Sequence, residues 1–253
     1  MMTAAFDIPF SYDSVFRGNP GYAFYGVLCG RFHPAFSQDL HREETLLLHQ
    51  YVTLDRRKRQ GRWKIYCYTK QTAEEVRDAL LEKHLTVRGV PILLGRGTEM
   101  FLPAGAGLTH EAEVRFGGSR RFLLTFHTAT TFRQNGVHVI FPTPALIFQS
   151  ILARRNALSK NPENDPDAWN MLLRGCHISA YRLESSYYPL KAGFVPGFRG
   201  QLVLSLNLAE PMRLFARDLL CFSERVGVGA KTTLGMGGVT VGPATRGANS
   251  EQT

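Results

Sequence analysis

The apolar positions of this chain follow two periods, and the order in which they alternate predicts the fold. Residues 63–68, Trp-Lys-Ile-Tyr-Cys-Tyr, alternate at every second position, as a strand with one buried face does. Phe6-Asp7-Ile8-Pro9-Phe10 reads as a short strand ended by proline, and 46–54 as another strand. Between them the apolar residues of 22–33 recur at helical spacing behind Asn19-Pro20, a helix start signal. Residues 39–43 are polar, follow Pro34 and read as a loop or a short helix. Thr72-Ala73-Glu74-Glu75 has the form of an N-cap box ahead of a helix over 76–83, and 85–94 reads as a strand pair or one bent strand. The order is β-α-β-β-α-β, the ferredoxin-like unit.

A Gly- and Ala-rich stretch, 103–109, predicts a linker. The pattern then repeats. Strand 121–128 is followed by a helix over 145–158, a polar break at 161–166 and a short helix over 167–173. Strands over 178–188 and 198–207 form a hairpin, and a helix over 211–225 precedes a last strand at 238–241. The expectation is an α+β protein of two tandem ferredoxin-like (RRM-like) domains, 1–102 and 112–253. The second carries a helical insert over about 145–175 and a Gly-rich loop over 227–238.

That loop, Gly-Val-Gly-Ala-Lys-Thr-Thr-Leu-Gly-Met-Gly-Gly, holds five glycines in twelve residues. Glycine admits positive φ and close approach of another chain, and such loops present backbone N–H groups to anions. The loop connects a helix to a strand. A nucleotide loop needs strand, loop, helix, so nucleotide binding is excluded. Charge points the same way. The net charge is +9, with arginine in excess, and the Arg fork matches phosphate and stacks on bases. The four cysteines are scattered without a CxxC pair, which argues against zinc or a disulfide framework and fits a reducing cytoplasm. No apolar run reaches about 18 residues, and 1–9 lacks a signal pattern, so no membrane span is expected.

Two ferredoxin-like units with this terminal loop resemble the CRISPR-associated crRNA-processing endoribonucleases of the Cas-six type, within the RAMP superfamily. Val195-Pro196-Gly197-Phe198-Arg199-Gly200 before a strand and Leu219-Leu220-Cys221-Phe222-Ser223-Glu224 before the loop carry the resemblance further. So do Thr131-Phe132-Arg133, Pro142-Thr143-Pro144 and the helix ending Arg154-Arg155. The resemblance implies cleavage of CRISPR repeat RNA without metal or cofactor. The 2′-hydroxyl attacks the adjacent phosphate, leaving a cyclic phosphate and a 5′-hydroxyl, and the mature crRNA stays bound. Other Cas proteins of an effector complex are the further partners it implies.

Such chemistry needs a base, an acid and cations for the charge on phosphorus. His41 is the leading base, because it stands after the first helix, where many members of the family carry a histidine. His33 is the second candidate, against a reading as a cation at a helix C-terminus. His49, inside an apolar strand, reads as a core histidine. Tyr22 and Tyr25 are candidates to position the phosphate, against core packing. Cys29 stands where some members carry a catalytic tyrosine, and no lysine follows His41 before Lys58. An arginine-centred site on Arg17, Arg31 or Arg42 therefore stays open. The RNA-contact candidates are Gly227, Gly229, Lys231, Thr232, Thr233 and Gly235 of the loop and Arg56, Arg57 and Arg59 of a basic hairpin tip. Arg120 and Arg121 are candidates beside a glycine turn, as are Arg154 and Arg155 on the long helix. Two other readings stand beside the enzyme: a non-cleaving crRNA-binding RAMP subunit of an effector complex, and a generic basic scaffold.

Overall fold

The computed structural model describes residues 4–36, 47–101, 107–191 and 193–244, with the backbone alone at 107–109. Two antiparallel sheets carry helices on their outer faces.

The first sheet is built from β1 (Ala4–Tyr12), β2 (Leu48–Asp55), β3 (Gln60–Cys67), β4 (His84–Val87), β5 (Val90–Leu94) and β6 (Thr98–Phe101). Its order is β2-β3-β1-β5-β4, with β6 also paired to β1. The alternation in β3 sends Trp63, Ile65 and Cys67 into the core. There they meet Phe6, Ile8 and Phe10 of β1 and Phe24 and Leu28 of α1 (Gly21–Cys29). α2 (Lys70–Ala79) closes the same face.

Three local expectations shift. The first strand does not end at Pro9. The carbonyl of Pro9 accepts from Gly95 N–H, so the missing donor faces the gap where the chain leaves β5 for β6. The helix foreseen at 76–83 starts earlier, because Thr69 is its cap and accepts from Thr72 N–H at 3.0 Å. It ends earlier, at Ala79, and Lys83 Nζ satisfies the carbonyl of the C-cap Leu80 at 2.9 Å. Residues 85–94 resolve into a hairpin.

The second sheet has the order β10-β11-β7-β12, from β7 (Arg121–Thr130), β10 (Cys176–Leu190), β11 (Gly193–Leu206) and β12 (Val239–Pro243). In chain order this is β7, helix, β10, β11, helix, β12, the second ferredoxin-like unit. Its helices are α4 (Pro144–Leu158), α5 (Pro166–Gly175) and α6 (Glu210–Val226). Thr143 and Asp165 cap α4 and α5 with side-chain oxygens, and proline opens both. A small hairpin, β8 (Phe132–Gln134) and β9 (Val137–Val139), lies between β7 and α4. Of the stretch expected as a linker, 103–106 lies outside the described residues. Gly107 opens a helix, α3 (Gly107–Phe116), whose Arg115 pairs with Glu224 of α6 at 2.8 Å. Glycine and alanine content hid this helix, which tertiary contacts hold.

Candidate nucleic-acid interface

The glycine loop leaves α6 at Val226 and returns as β12, so both its limbs stand on the second sheet. Ala230 N–H donates to Thr131 O at 2.7 Å, and Gly237 N–H to Ala129 O at 3.0 Å. Gly238 N–H donates to Thr128 Oγ1 at 2.9 Å, and Gly229 N–H to Ser150 Oγ of α4 at 3.1 Å. The tip is a single 3-10 turn, Thr232–Leu234, entered through Lys231 at φ 59° and left through Gly235 at φ 100°. It crosses to the first sheet. Thr233 Oγ1 donates to Leu48 O at 3.1 Å, and Gln50 Nε2 to Thr233 O at 3.2 Å. His49 Nδ1 lies 2.9 Å from Thr232 O, a carbonyl, so this nitrogen carries the proton.

The loop is therefore mostly built in. Its limb amides have protein acceptors. Within the loop, and among the described acceptors, only the N–H groups of Lys231, Thr232 and Thr233 face none. The two threonine hydroxyls foreseen as RNA contacts are not offered to solvent. Thr232 is 1% exposed and that of Thr233 is bound to Leu48 O. Lys231 is half-buried, forms no ion pair among the described residues, and is the cation of the tip.

Two features of the junction go beyond the sequence reading. His49, read as a core histidine, is fully buried, and burial depresses its pKa to about 3. Its ring stacks with Tyr66 (5.8 Å) and Tyr51 (5.5 Å), and Tyr51 stacks on His127 of β7 at 6.1 Å. This row of rings joins the two sheets. It requires Gly238, where a Cβ would come within 2.4 Å of the Tyr51 ring. Arg154 is likewise a loop anchor, with Nη2 2.5 Å from Gly229 O, and burial lowers its pKa.

The remaining candidates scatter. His41 and Arg42 lie outside the described residues. Tyr25 is half-buried on α1, hydrogen-bonded to Cys29, and desolvation raises its pKa, which holds the phenol protonated. Arg31 is committed beyond the end of α1. It donates to Ala79 O (3.0 Å) and His84 O (2.9 Å) and pairs with Glu82 at 3.0 Å. His33 is exposed there, its N–H bound to Glu75. α1 starts at the loop and is about 13 Å long, so Arg31 and His33 stand a helix length from the tip.

Arg56 and Arg59 of the β2–β3 turn bind the carbonyls of Phe16 and Asp13, while Arg57 extends into solvent. Arg120 and Arg121 lie at the start of β7, about 30 Å along the strand from the loop. Arg155 pairs with Asp218 (2.8 Å) and Glu163 (3.2 Å). Among the described residues no group of three His, Cys, Asp or Glu is placed to hold a metal ion, and no helix is long and apolar enough to cross a membrane.

Two ferredoxin-like units clamped by a glycine-rich loop with one cationic tip define the class: a tandem ferredoxin-like protein whose glycine loop joins its two sheets. Residues 124–239, which include the loop, match the family model described as CRISPR-associated endoribonuclease Cas6. A protein of that name from Streptococcus thermophilus is 31% identical over 219 residues, covering 85% of this chain and 88% of the relative. One from Mycobacterium tuberculosis is 33% identical over 125 residues, covering 49% of this chain and 40% of the relative. The structure of a Cas6 product complex superimposes with a TM-score of 0.72 at 22% identity, covering 97% of this chain and 100% of that one. The chain belongs to the Cas6 family of CRISPR-associated endoribonucleases.

Proposed function

We propose that this protein binds CRISPR repeat RNA across the glycine-loop junction and cuts it to crRNA by attack of a 2′-hydroxyl on the adjacent phosphate. The observation that carries the reading is the tethering of the loop tip to the first residues of β2. Leu48, His49 and Gln50 each bond it, and His41 precedes Leu48 by only seven residues. A histidine so close along the chain to a phosphate-facing tip has the reach and the titration range of a general base. Lys231 at the tip supplies positive potential for the charge that develops on phosphorus. Tyr25, Arg31 and His33 are less suited, since hydrogen bonds or position keep them from the tip. The products are a 2′,3′-cyclic phosphate and a 5′-hydroxyl. The mature crRNA stays bound, and other Cas proteins of an effector complex receive it in the cytoplasm.

The test is single-turnover cleavage of the cognate repeat RNA by pure protein in EDTA. The native chain cuts, with a cyclic phosphate on the upstream fragment. His41→Ala lowers the rate by about 10²–10⁴-fold while RNA affinity stays within a few fold. Tight binding without cutting by the native chain would instead establish the non-cleaving crRNA-binding subunit.

A further inference from the structure

The first turn of α1 and the glycine loop come from different ferredoxin-like units, yet they touch backbone to backbone. A Cβ on Gly21 would lie 3.6 Å from Gly235 Cα. Two side chains bridge the same contact. Gln50 Nε2 donates to Gly21 O at 3.1 Å and to Thr233 O at 3.2 Å, while its Oε1 accepts from Trp63 Nε1 at 2.9 Å. Tyr188, on the outermost strand of the second sheet, donates its hydroxyl to Leu234 O at 2.8 Å, and the Tyr22 backbone bonds to the same hydroxyl oxygen. That oxygen fills the space that two side chains would need, since a Cβ would lie 2.6 Å from it at Gly21 and 2.3 Å at Gly235.

Both bridging side chains are fully buried, and both grip backbone of the tip and the helix start. Gln50 meets the tip between Thr233 and the helix start, and Tyr188 meets it one residue further on. Two bonds from different directions fix both the separation and the rotation of the tip against α1. The cationic Lys231 sits on the clamped tip, and the half-buried Tyr22 sits on the clamped turn.

We propose that Gln50 and Tyr188 are positioning residues for RNA cleavage. They hold the glycine-loop tip in register with the first turn of α1, so that a phosphate gripped by the second unit meets the chemistry supplied by the first. The inference rests on the cleavage reading above, and neither residue touches RNA in it. The geometry demands a hydroxyl at 188 and an amide at 50. An apolar ring or a carboxylate of the same size would fill the space without making the bonds.

The experiment compares the native protein with Tyr188→Phe and Gln50→Glu in three measurements: repeat-RNA affinity, single-turnover cleavage and amide hydrogen exchange. Tyr188→Phe is expected to bind RNA within about threefold of native and to cut at least tenfold more slowly at saturating RNA. Amides at 21–24 and 231–236 should exchange faster while those of β7 and α6 stay protected. Gln50→Glu should show the same pattern, and so should Gln50→Asn, because the shorter amide cannot span both carbonyls. A purely structural role predicts parallel losses of affinity and rate, scaled by the folded fraction, and that result overturns the proposal. So does unchanged exchange at the two segments in Tyr188→Phe. If the native chain binds RNA without cutting, the cleavage reading fails, and the exchange arm still decides whether these two residues hold the register.

Discussion

At 227–238 five glycines surround one lysine, and at 56–59 three arginines surround another. Both stretches advertise phosphate contact, one by its backbone and one by its charge. In the folded protein they are opposites. The loop is enclosed by β7, α4 and β2, and four of its glycines stand at positive φ: Gly227, Gly229, Gly235 and Gly237. The hairpin tip is exposed, with Asp55 Oδ1 accepting from the amides of Arg57 and Lys58. A glycine loop with no room for a Cβ defines a geometry. A solvated basic turn supplies only field, and field is screened within about 8 Å at physiological salt. The loop should thus be intolerant of small changes, and the tip tolerant of large ones.

The largest expected break comes from Gly229→Ala. The methyl would lie 2.3 Å from Thr131 O at a φ of +83°. Strain and overpacking together should cost about 3 kcal/mol. A thermal melt should then fall by about 6–12 °C for a chain of this size. A loss under about 2 °C would show that the loop is free to move.

Next is acid sensitivity. His49 is neutral in the folded state with its pKa depressed to about 3, whereas the unfolded chain protonates it near the ordinary 6.5. The unfolded state thus binds the extra proton between those values. Stability from this group is full above pH about 6.5 and falls by about 1.4 kcal/mol per pH unit as pH drops toward 3. His49→Gln should flatten that limb between pH 6.5 and 5 in urea melts, although it lowers stability at pH 7. An equal slope in native and variant would place the titration elsewhere.

The smallest effect is expected at the tip. Arg57→Ala with Lys58→Ala should leave the melting temperature within about 1–2 °C, as surface changes do. If both cations meet RNA, the slope of log affinity against log salt should shrink by about 0.7 for each phosphate that is no longer neutralised. An unchanged slope would make the tip a plain solvated turn.

Much of the fold could be read before the structure, and the reasons are local. The alternation in 63–68 and the helical spacing over 145–158 act within a few residues of themselves, so they survive any packing. What failed did so where partners are distant in sequence. Pro9 ends a strand in isolation, but the break between β5 and β6 removes the need for its N–H. Thr232 and Thr233 look like hydroxyl donors in a loop, and only the approach of β2 commits one and buries the other. Arg31 looked like a site cation on a helix near the start of the chain. The carbonyls that claim it lie at Ala79 and His84.

The sequence by itself determined the two β-α-β-β-α-β units, their basic character, the place of the glycine loop between a helix and a strand, and the resemblance that proved to be family membership. These rest on periodicity, capping and turn chemistry, which act over short range. Only the tertiary structure decided that the loop's limbs are consumed by β7 and α4. It alone showed that the tip is held by Leu48, His49, Gln50 and Tyr188, and that Arg31 and His33 sit a helix length away. Those outcomes depend on which carbonyl or ring arrives opposite a group from far along the chain, as at the 183-residue separation of His49 and Thr232. No local pattern encodes such an encounter, because the packing of two whole sheets brings it about.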